Sequence, residues 1–141
     1  MAGSATDYSR QRVLSHTLGF GAFTMPANVY IGITTSAPTA TTPGAEIPTA
    51  GSGYARQRAT FALAAGRTDL AVITATMEYP PATASWGSIG YFEIWDAVSA
   101  GNRLYWGPLV DPTDGVTPVI RTINTGDILR LSANMVSVQA I

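Results

Sequence analysis

The sequence predicts an all-β fold: one domain over residues 1–141, a jelly-roll-like antiparallel β-sandwich of about eight strands, with a short helix in the N-terminal segment 1–25. Three observations predict it. From residue 29 onward, short runs alternate apolar and polar residues, the period-two signature of strands with one covered face. Clusters of Gly, Pro, Asn and Asp separate these runs at fairly regular spacing. The length of 141 residues suits one hydrophobic core and is short for two.

The elements follow in order. "ATDYSRQRVLSHTLGF" carries helix punctuation: Thr6 or Asp7 can cap the N-terminus, and Gly19 stands where a left-handed residue ends a helix. Tyr8, Val13, Leu14, Thr17 and Leu18 can form one apolar stripe. A helix of about three turns is marginal alone, so it must dock on its own sheet or on a neighbouring subunit. "NVYIGIT" sets Val29, Ile31 and Ile33 against Tyr30 and Gly32. The Thr/Pro/Gly stretch over residues 35–53, "TSAPTATTPGAEIPTAGSG", is long for a loop in a compact domain and reads as a functional arm or lid.

"YARQRATFAL" and "LAVITATMEY" read as strands around the turn "AAGRTD", and Pro80 and Pro81 stop the second. "WGSIGYFEIWDA" is the densest aromatic strand. Ile89, Tyr91, Glu93 and Trp95 share one of its faces. "RLYWGPLV", "VIRTI", "ILRLS" and "MVSVQAI" complete the set, joined by the turns "SAGN", "DPTDGVTP", "NTGD" and "AN".

Composition narrows the function. Charged residues are 12% of the chain, against about 25% in an average domain. Either much of the surface is covered by partners, or it is polar without charge, as on many all-β domains. A net charge of −1 offers no electrostatic footprint for nucleic acid. All eight basic residues are Arg, the side chain better suited to interface ion pairs. No Cys is present, which excludes disulfides and thiolate chemistry. The start "MAGSATDYSRQR" lacks a signal peptide's apolar region, and no run reaches membrane-span length. A soluble product made in the cytoplasm, with no membrane partner, is expected.

Catalytic equipment is sparse. His16 is the lone histidine, with no nucleophile elbow to serve it, and reads as a packing or surface residue. Asp111 and Asp114 in "DPTDG" read as turn chemistry rather than a calcium loop. "GSG" and "GFG" match no phosphate-cradling loop. No cofactor or metal is expected. Glu93, between Tyr91 and Trp95, needs a cation: Arg56, Arg58 or Arg103 can meet it, at a subunit contact or on a solvent face. In "GSGYARQRATF", alternation puts Tyr54, Arg56, Arg58 and Thr60 on one face, which meets either water or another protein. Trp86, Trp95 and Trp106 are possible carbohydrate platforms.

"VLSHTLGFGAFTMPANVYIGITTSAPT", "GSGYARQRATF", "YPPATASWGSIGYFEIWDA", "GNRLYWGPL" and "INTGDILRL" together resemble, in order and spacing from about Asp7 to Val138, a family of small virion structural proteins of tailed phages. Its members are commonly labelled tail-fibre proteins, and some resemble capsid cement (decoration) proteins. The resemblance implies a jelly-roll-like sandwich that self-associates and clamps neighbouring major capsid subunits, with no catalytic residues. Arg58, Glu93 and Trp95 depart from the family pattern and can alter the partner surface.

The expectation is therefore a non-enzymatic cement protein on the outer capsid surface of the virion. It would bind only the assembled shell and stabilise it by mass action. Its partners would be the major capsid protein and itself, as a homodimer first and a trimer second. The candidate contact residues are Tyr54, Arg56, Arg58, Glu93 and Trp95, then Thr35, Pro38, Pro43 and Glu46 on the arm, then Tyr8 and Arg12 on the helix. The alternative is a tail or tail-fibre component, with a face for host-surface carbohydrate.

Overall fold

Twelve short strands and one helix form among residues 2–140, the residues that the computed structural model describes. They are β1 (Ser4–Ala5), α1 (Asp7–Thr17), β2 (Val29–Thr34), β3 (Gln57–Ala59), β4 (Phe61–Leu63), β5 (Leu70–Ile73), β6 (Met77–Glu78), β7 (Gly87–Ile89), β8 (Tyr91–Trp95), β9 (Arg103–Pro108), β10 (Arg121–Ile123), β11 (Arg130–Leu131) and β12 (Ser137–Gln139). The expected final strand would have reached Ile141, which, with Met1, lies outside the described residues.

The all-β, sandwich-like prediction holds, with more and shorter strands than the expected eight. Three expected runs bend, and each half joins a different sheet. "YARQRATFAL" breaks at Thr60 into β3 and β4, "LAVITATMEY" splits into β5 and β6, and "WGSIGYFEIWDA" divides at Gly90 into β7 and β8. A strand that turns the corner of a sandwich must interrupt its ladder, and alternation alone does not mark the interruption.

The large sheet has the order β1-β9-β8-β2-β3 and the small one β12-β5-β4; β10-β7 and β11-β6 are two-stranded ribbons. Pairing within them is antiparallel. The two main sheets are joined along both edges. On one side β3 and β4 are halves of a single bent run. On the other, Gly3 bridges to Val138, with Gly3 N–H donating to the Ser137 carbonyl (2.7 Å) and Gln139 N–H to the Gly3 carbonyl (3.0 Å). Only glycine fits this seam, since a Cβ at Gly3 would stand 2.6 Å from the Phe92 ring and 2.7 Å from the Trp106 carbonyl. The segment ahead of the helix is thus part of the sheet, as β1 and the Gly3 seam, which its composition did not reveal.

Ile31, Ile33, Phe92 and Ile94 point from the large sheet into the core, against Ile73 and Val138 from the small one. Each such side chain contributes roughly 1.5–3 kcal/mol by leaving water. One end is closed by a cluster of Tyr54, Tyr79 and Trp86, whose ring centroids lie 5.5–6.4 Å apart. Its polar tips are satisfied: Tyr79 donates to the Ile31 carbonyl (2.7 Å) and Trp86 Nε1 to the Ser52 carbonyl (2.8 Å).

Helix α1 begins and ends as its punctuation predicts. Thr6 Oγ1 accepts from Ser9 N–H (3.2 Å), and Gly19 adopts φ +81°. Its packing differs from expectation. Ser9 and Ser15 are its buried residues, while Val13, Leu14 and Leu18 of the apolar stripe are 44%, 55% and 67% exposed. Ser9 lies on the side facing Tyr105 of β9, Ser15 is covered by the turn at Phe20 and Gly21, and the apolar stripe is left facing out.

Candidate interaction surface

The arm 35–53 is ordered by the sheet it crosses. Strand β3 pairs with Val29–Ile31 only, leaving the end of β2 with a free edge. The arm returns to fill it: Glu46 stands opposite Thr34, Thr35 N–H donates to the Ala45 carbonyl (3.0 Å) and Ile47 N–H to the Ile33 carbonyl (3.2 Å). Between these ends the chain straps over the outer face of the large sheet. It is tied there at three points: Gly44 N–H donates to Glu93 Oε2 (2.9 Å), Arg103 Nη2 donates to the Thr39 carbonyl (2.6 Å), and Asp7 N–H donates to the Ala40 carbonyl (3.1 Å).

Two carboxylate–guanidinium hubs hold the strap. In the first, Arg56 forks onto both oxygens of Glu46, Nε to Oε2 and Nη2 to Oε1, each at 2.9 Å. This bidentate geometry is the strongest form of the pair. Tyr54 O–H donates to the same Oε2 (2.5 Å) while accepting from Ile33 N–H (2.9 Å). The remaining Arg56 Nη1 donates to the carbonyls of Ala97 (3.0 Å) and Ala100 (2.8 Å), and its guanidinium lies 3.9 Å from the centroid of the Trp95 ring. Burial, then the neighbouring Tyr79 and Glu46, push the Tyr54 phenol far above its ordinary range, so it stays protonated and donates. Gly32 makes room: a Cβ there would come within 2.6 Å of Glu46 Oε2.

In the second hub, Glu93 is fully buried and Arg103 Nη1 donates to its Oε2 at 3.2 Å. Oε1 has no hydrogen-bond partner among the described residues. Burial therefore raises the Glu93 carboxyl above its usual range, against the opposing pull of the Gly44 N–H and the Arg103 charge. Arg103 is correspondingly lowered by its own desolvation.

These hubs correct the sequence reading of the contact residues. Alternation did place Tyr54, Arg56 and Arg58 on one face, but the chain's own arm roofs that face. Tyr54 is 2% exposed and the Arg56 side chain 8%, so neither is presented to a partner; Arg58 alone of the three is exposed. Glu93 has the expected arginine partner, Arg103, yet the pair is internal to the chain and not at a subunit surface. Within the strap Pro38 is buried, Glu46 is partly covered and Thr35 and Pro43 are exposed, while Trp95 of β8 is partly covered. On the helix, Arg12 is exposed and lies 5.3 Å over Tyr8, which is half-buried edge-on to Phe23.

The other candidates also have defined places. His16 Nδ1 accepts from Phe23 N–H (3.1 Å), closing the turn after the helix. Asp114 caps the backbone of Val116 and Thr117 and accepts from the Thr117 hydroxyl, which draws its carboxyl down to about 2. Asp111 accepts from Thr113 N–H (2.8 Å), so both aspartates serve their turn. No group of three or more potential metal ligands occurs among the described residues, and no helix among them is long and apolar enough to cross a membrane. Of the possible carbohydrate platforms, Trp86 is core and Trp95 carries Arg56 on its ring; Trp106 is half-buried beside the strap-covered row.

The exposed surface thus includes the uncharged outer side of the arm, the helix stripe, scattered apolar residues and the candidate cations Arg12 and Arg58. Phe20 and Met25, 70% and 83% exposed, belong to this surface and were not singled out by the sequence reading. A family model described as podophage GP4 fiber I protein gp80 matches residues 4–139. A search of curated proteins returns no match.

Proposed function

The chain belongs to the Gp80 family, that of the podophage GP4 fiber I protein gp80, a phage virion structural family, and from this premise we propose that it is a non-enzymatic building block of a phage tail fibre. The observation that carries the proposal is the extent of the match, residues 4–139, which takes in β1, the strap and the closing strand β12 alike. The site chemistry is consistent with a scaffold. The buried charges Glu93 and Arg103, and the hub of Glu46 with Arg56, are consumed in tying the chain's own arm to its sheet. The exposed surface includes uncharged Thr, Pro and Ala on the strap and exposed Leu, Phe and Met elsewhere, with Arg12 and Arg58 free of the hubs, a mixture of apolar and Arg side chains suited to lying against other proteins.

The capsid-cement reading shares this surface but takes a different address in the virion. It draws on the same charge-poor arm, whereas the family description favours the fibre. A carbohydrate face on the fibre would have to use Trp106 or the strap, because Trp86 is in the core. Gold-labelled antibody on intact particles, combined with quantitative mass spectrometry, tests the assignment. Label on the tail, with copies comparable to tail proteins, is the expected outcome. Label spread over the head, at a stoichiometry near that of the major capsid protein, would replace fibre with cement.

A further inference from the structure

Three segments far apart in sequence meet at a cleft of about 380 Å³ beside the strap: the start of the helix, the tip of the arm and the turn between β8 and β9. Bonds between the segments fix its walls. Asp7 N–H donates to the Ala40 carbonyl (3.1 Å), the Thr6 hydroxyl to the Arg103 carbonyl (2.7 Å), and Arg103 Nη2 to the Thr39 carbonyl (2.6 Å). The polar side chains that line the cleft are held at one end and keep hydrogen-bonding capacity at the other. Asp7 accepts from Arg10 through Oδ1 (3.3 Å) and keeps Oδ2. Asn102 donates its backbone N–H (2.7 Å) and its Nδ2 (3.0 Å) to the Asp96 carboxylate, which fixes the side chain and leaves its carbonyl oxygen. The Tyr8 ring stands edge-on to Phe23 with Arg12 5.3 Å over it, which leaves its hydroxyl, and Thr41 Oγ1 has a long contact with Thr39 Oγ1 (3.5 Å). Trp95 also lines the cleft, and its Nε1 is buried with no hydrogen-bond partner among the described residues.

We infer that this cleft binds a neutral saccharide, one sugar ring seated between the strap and the β8–β9 turn. The lining chemistry narrows the ligand. Both charges at the cleft are matched within the chain, Asp7 by Arg10 and Arg103 by Glu93, so neither an anion nor a cation meets an unopposed charge. An apolar ligand would strip water from a carboxylate, an amide and two hydroxyls without replacing their hydrogen bonds. Sugar hydroxyls both donate and accept. That is the pattern required by spare acceptors at Asp7 and Asn102, hydroxyls at Tyr8 and Thr41, and an unspent donor at Trp95. Arg56 already lies 3.9 Å over the Trp95 ring, so what Trp95 adds is its N–H, which a hydroxyl at the cleft floor would satisfy. Side chains fixed by Asp96, Arg10 and Phe23 lose little freedom when a ligand arrives. As a host-surface ligand the saccharide rests on the fibre reading; the cleft itself is the same wherever in the virion the chain sits.

Proton–nitrogen correlation NMR on the full chain tests it, by titration with the methyl glycosides of glucose, galactose, mannose, rhamnose and N-acetylglucosamine. At least one should move the amide signals of Tyr8, Thr41 and Asn102 and the indole signal of Trp95, with Kd of about 1 mM or below, a modest affinity suited to a ligand of one ring. Tyr8→Phe and Thr41→Ala should each weaken binding by roughly two- to ten-fold, the loss of one neutral hydrogen bond, and Asp7→Asn by roughly ten-fold or more. Tyr8→Phe and Thr41→Ala should melt as the wild type does, and Trp106→Phe, outside the cleft, should bind as the wild type does. No shift with any of these glycosides at concentrations well above that Kd overturns the proposal. So does binding that the cleft variants leave intact, or that Trp106→Phe alone abolishes. A methyl glucuronide should bind no better than the neutral glycosides, and tighter binding by it would replace the neutral ligand with an anionic one. Sugar binding with antibody label on the head would keep the cleft and discard the fibre; label on the tail without sugar binding would do the reverse.

Discussion

At Glu93 the fold keeps a carboxylate in full burial with one oxygen bonded and the other without a hydrogen-bond partner among the described residues. The charges that face it are Arg103, Glu46 and Arg56. Its folded pKa is raised, so between the ordinary value of 4.5 and the raised one the folded chain holds a proton that the unfolded chain has lost. Stability should therefore fall as pH rises through that window. Asp69 and Asp114 act oppositely: both are held below 3.8, so their contribution is complete above that value and is lost as pH falls below it. The melting temperature should peak in mildly acid solution, and Glu93→Gln should abolish the decline on the alkaline side of the peak. An unchanged profile in that variant would show that Glu93 does not control it. Removing the cation is the harsher test. Arg103→Ala leaves Glu93 buried without its ion-pair partner, with only the Gly44 N–H and the more distant Arg56 charge to offset it, and should cost about 3–5 kcal/mol in denaturant unfolding.

At the scale of elements, the strap and helix α1 are held by different means. The strap has few apolar anchors beyond Pro38 and Ile47, and depends on the two hubs. Gly32→Ala should push Glu46 off its seat, because the added methyl would lie 2.6 Å from a carboxylate already fixed by Arg56 and Tyr54. The expected outcome is a loss of about 1–3 kcal/mol and protease cleavage within residues 36–50 while the sandwich stays intact. Resistance equal to wild type would mean that the strap does not rely on this hub. The helix depends on Thr6, whose hydroxyl accepts from Ser9 N–H and donates to the Arg103 carbonyl (2.7 Å). Thr6→Ala should cost about 1–2 kcal/mol, the upper range for an N-cap, measured by thermal unfolding.

For the whole molecule, closure at both sheet edges explains how so many two- and three-residue strands remain folded. Short strands in an open sheet would leave unpaired edges that invite pairing between copies. The bent run β3–β4 and the Gly3–Val138 seam remove two of those edges. Deleting residues 2–5 should therefore expose β9 and β12 together. We expect a broadened, less cooperative melt and concentration-dependent light scattering, and a deletion variant that melts like the full chain would remove the seam from this account.

What the residues specify locally was legible in order: the helix with its Thr6 cap and Gly19 stop, the strand-rich remainder, the turn aspartates, and an arginine for Glu93. Periodicity and turn chemistry act over a few neighbours, so they survive in the linear text. Only the tertiary structure decided what covers what. The alternation of Tyr54, Arg56 and Arg58 identified a face correctly, but whether water, a partner or residues 35–53 lay over it depended on how the arm returns to β2. The same is true of the helix, whose apolar stripe was legible while its outward direction was set by what covers Ser9 and Ser15, the β9 side for one and the turn at Phe20 and Gly21 for the other. Burial is a property of contacts between segments distant in sequence, and those contacts are made only once the sheets close.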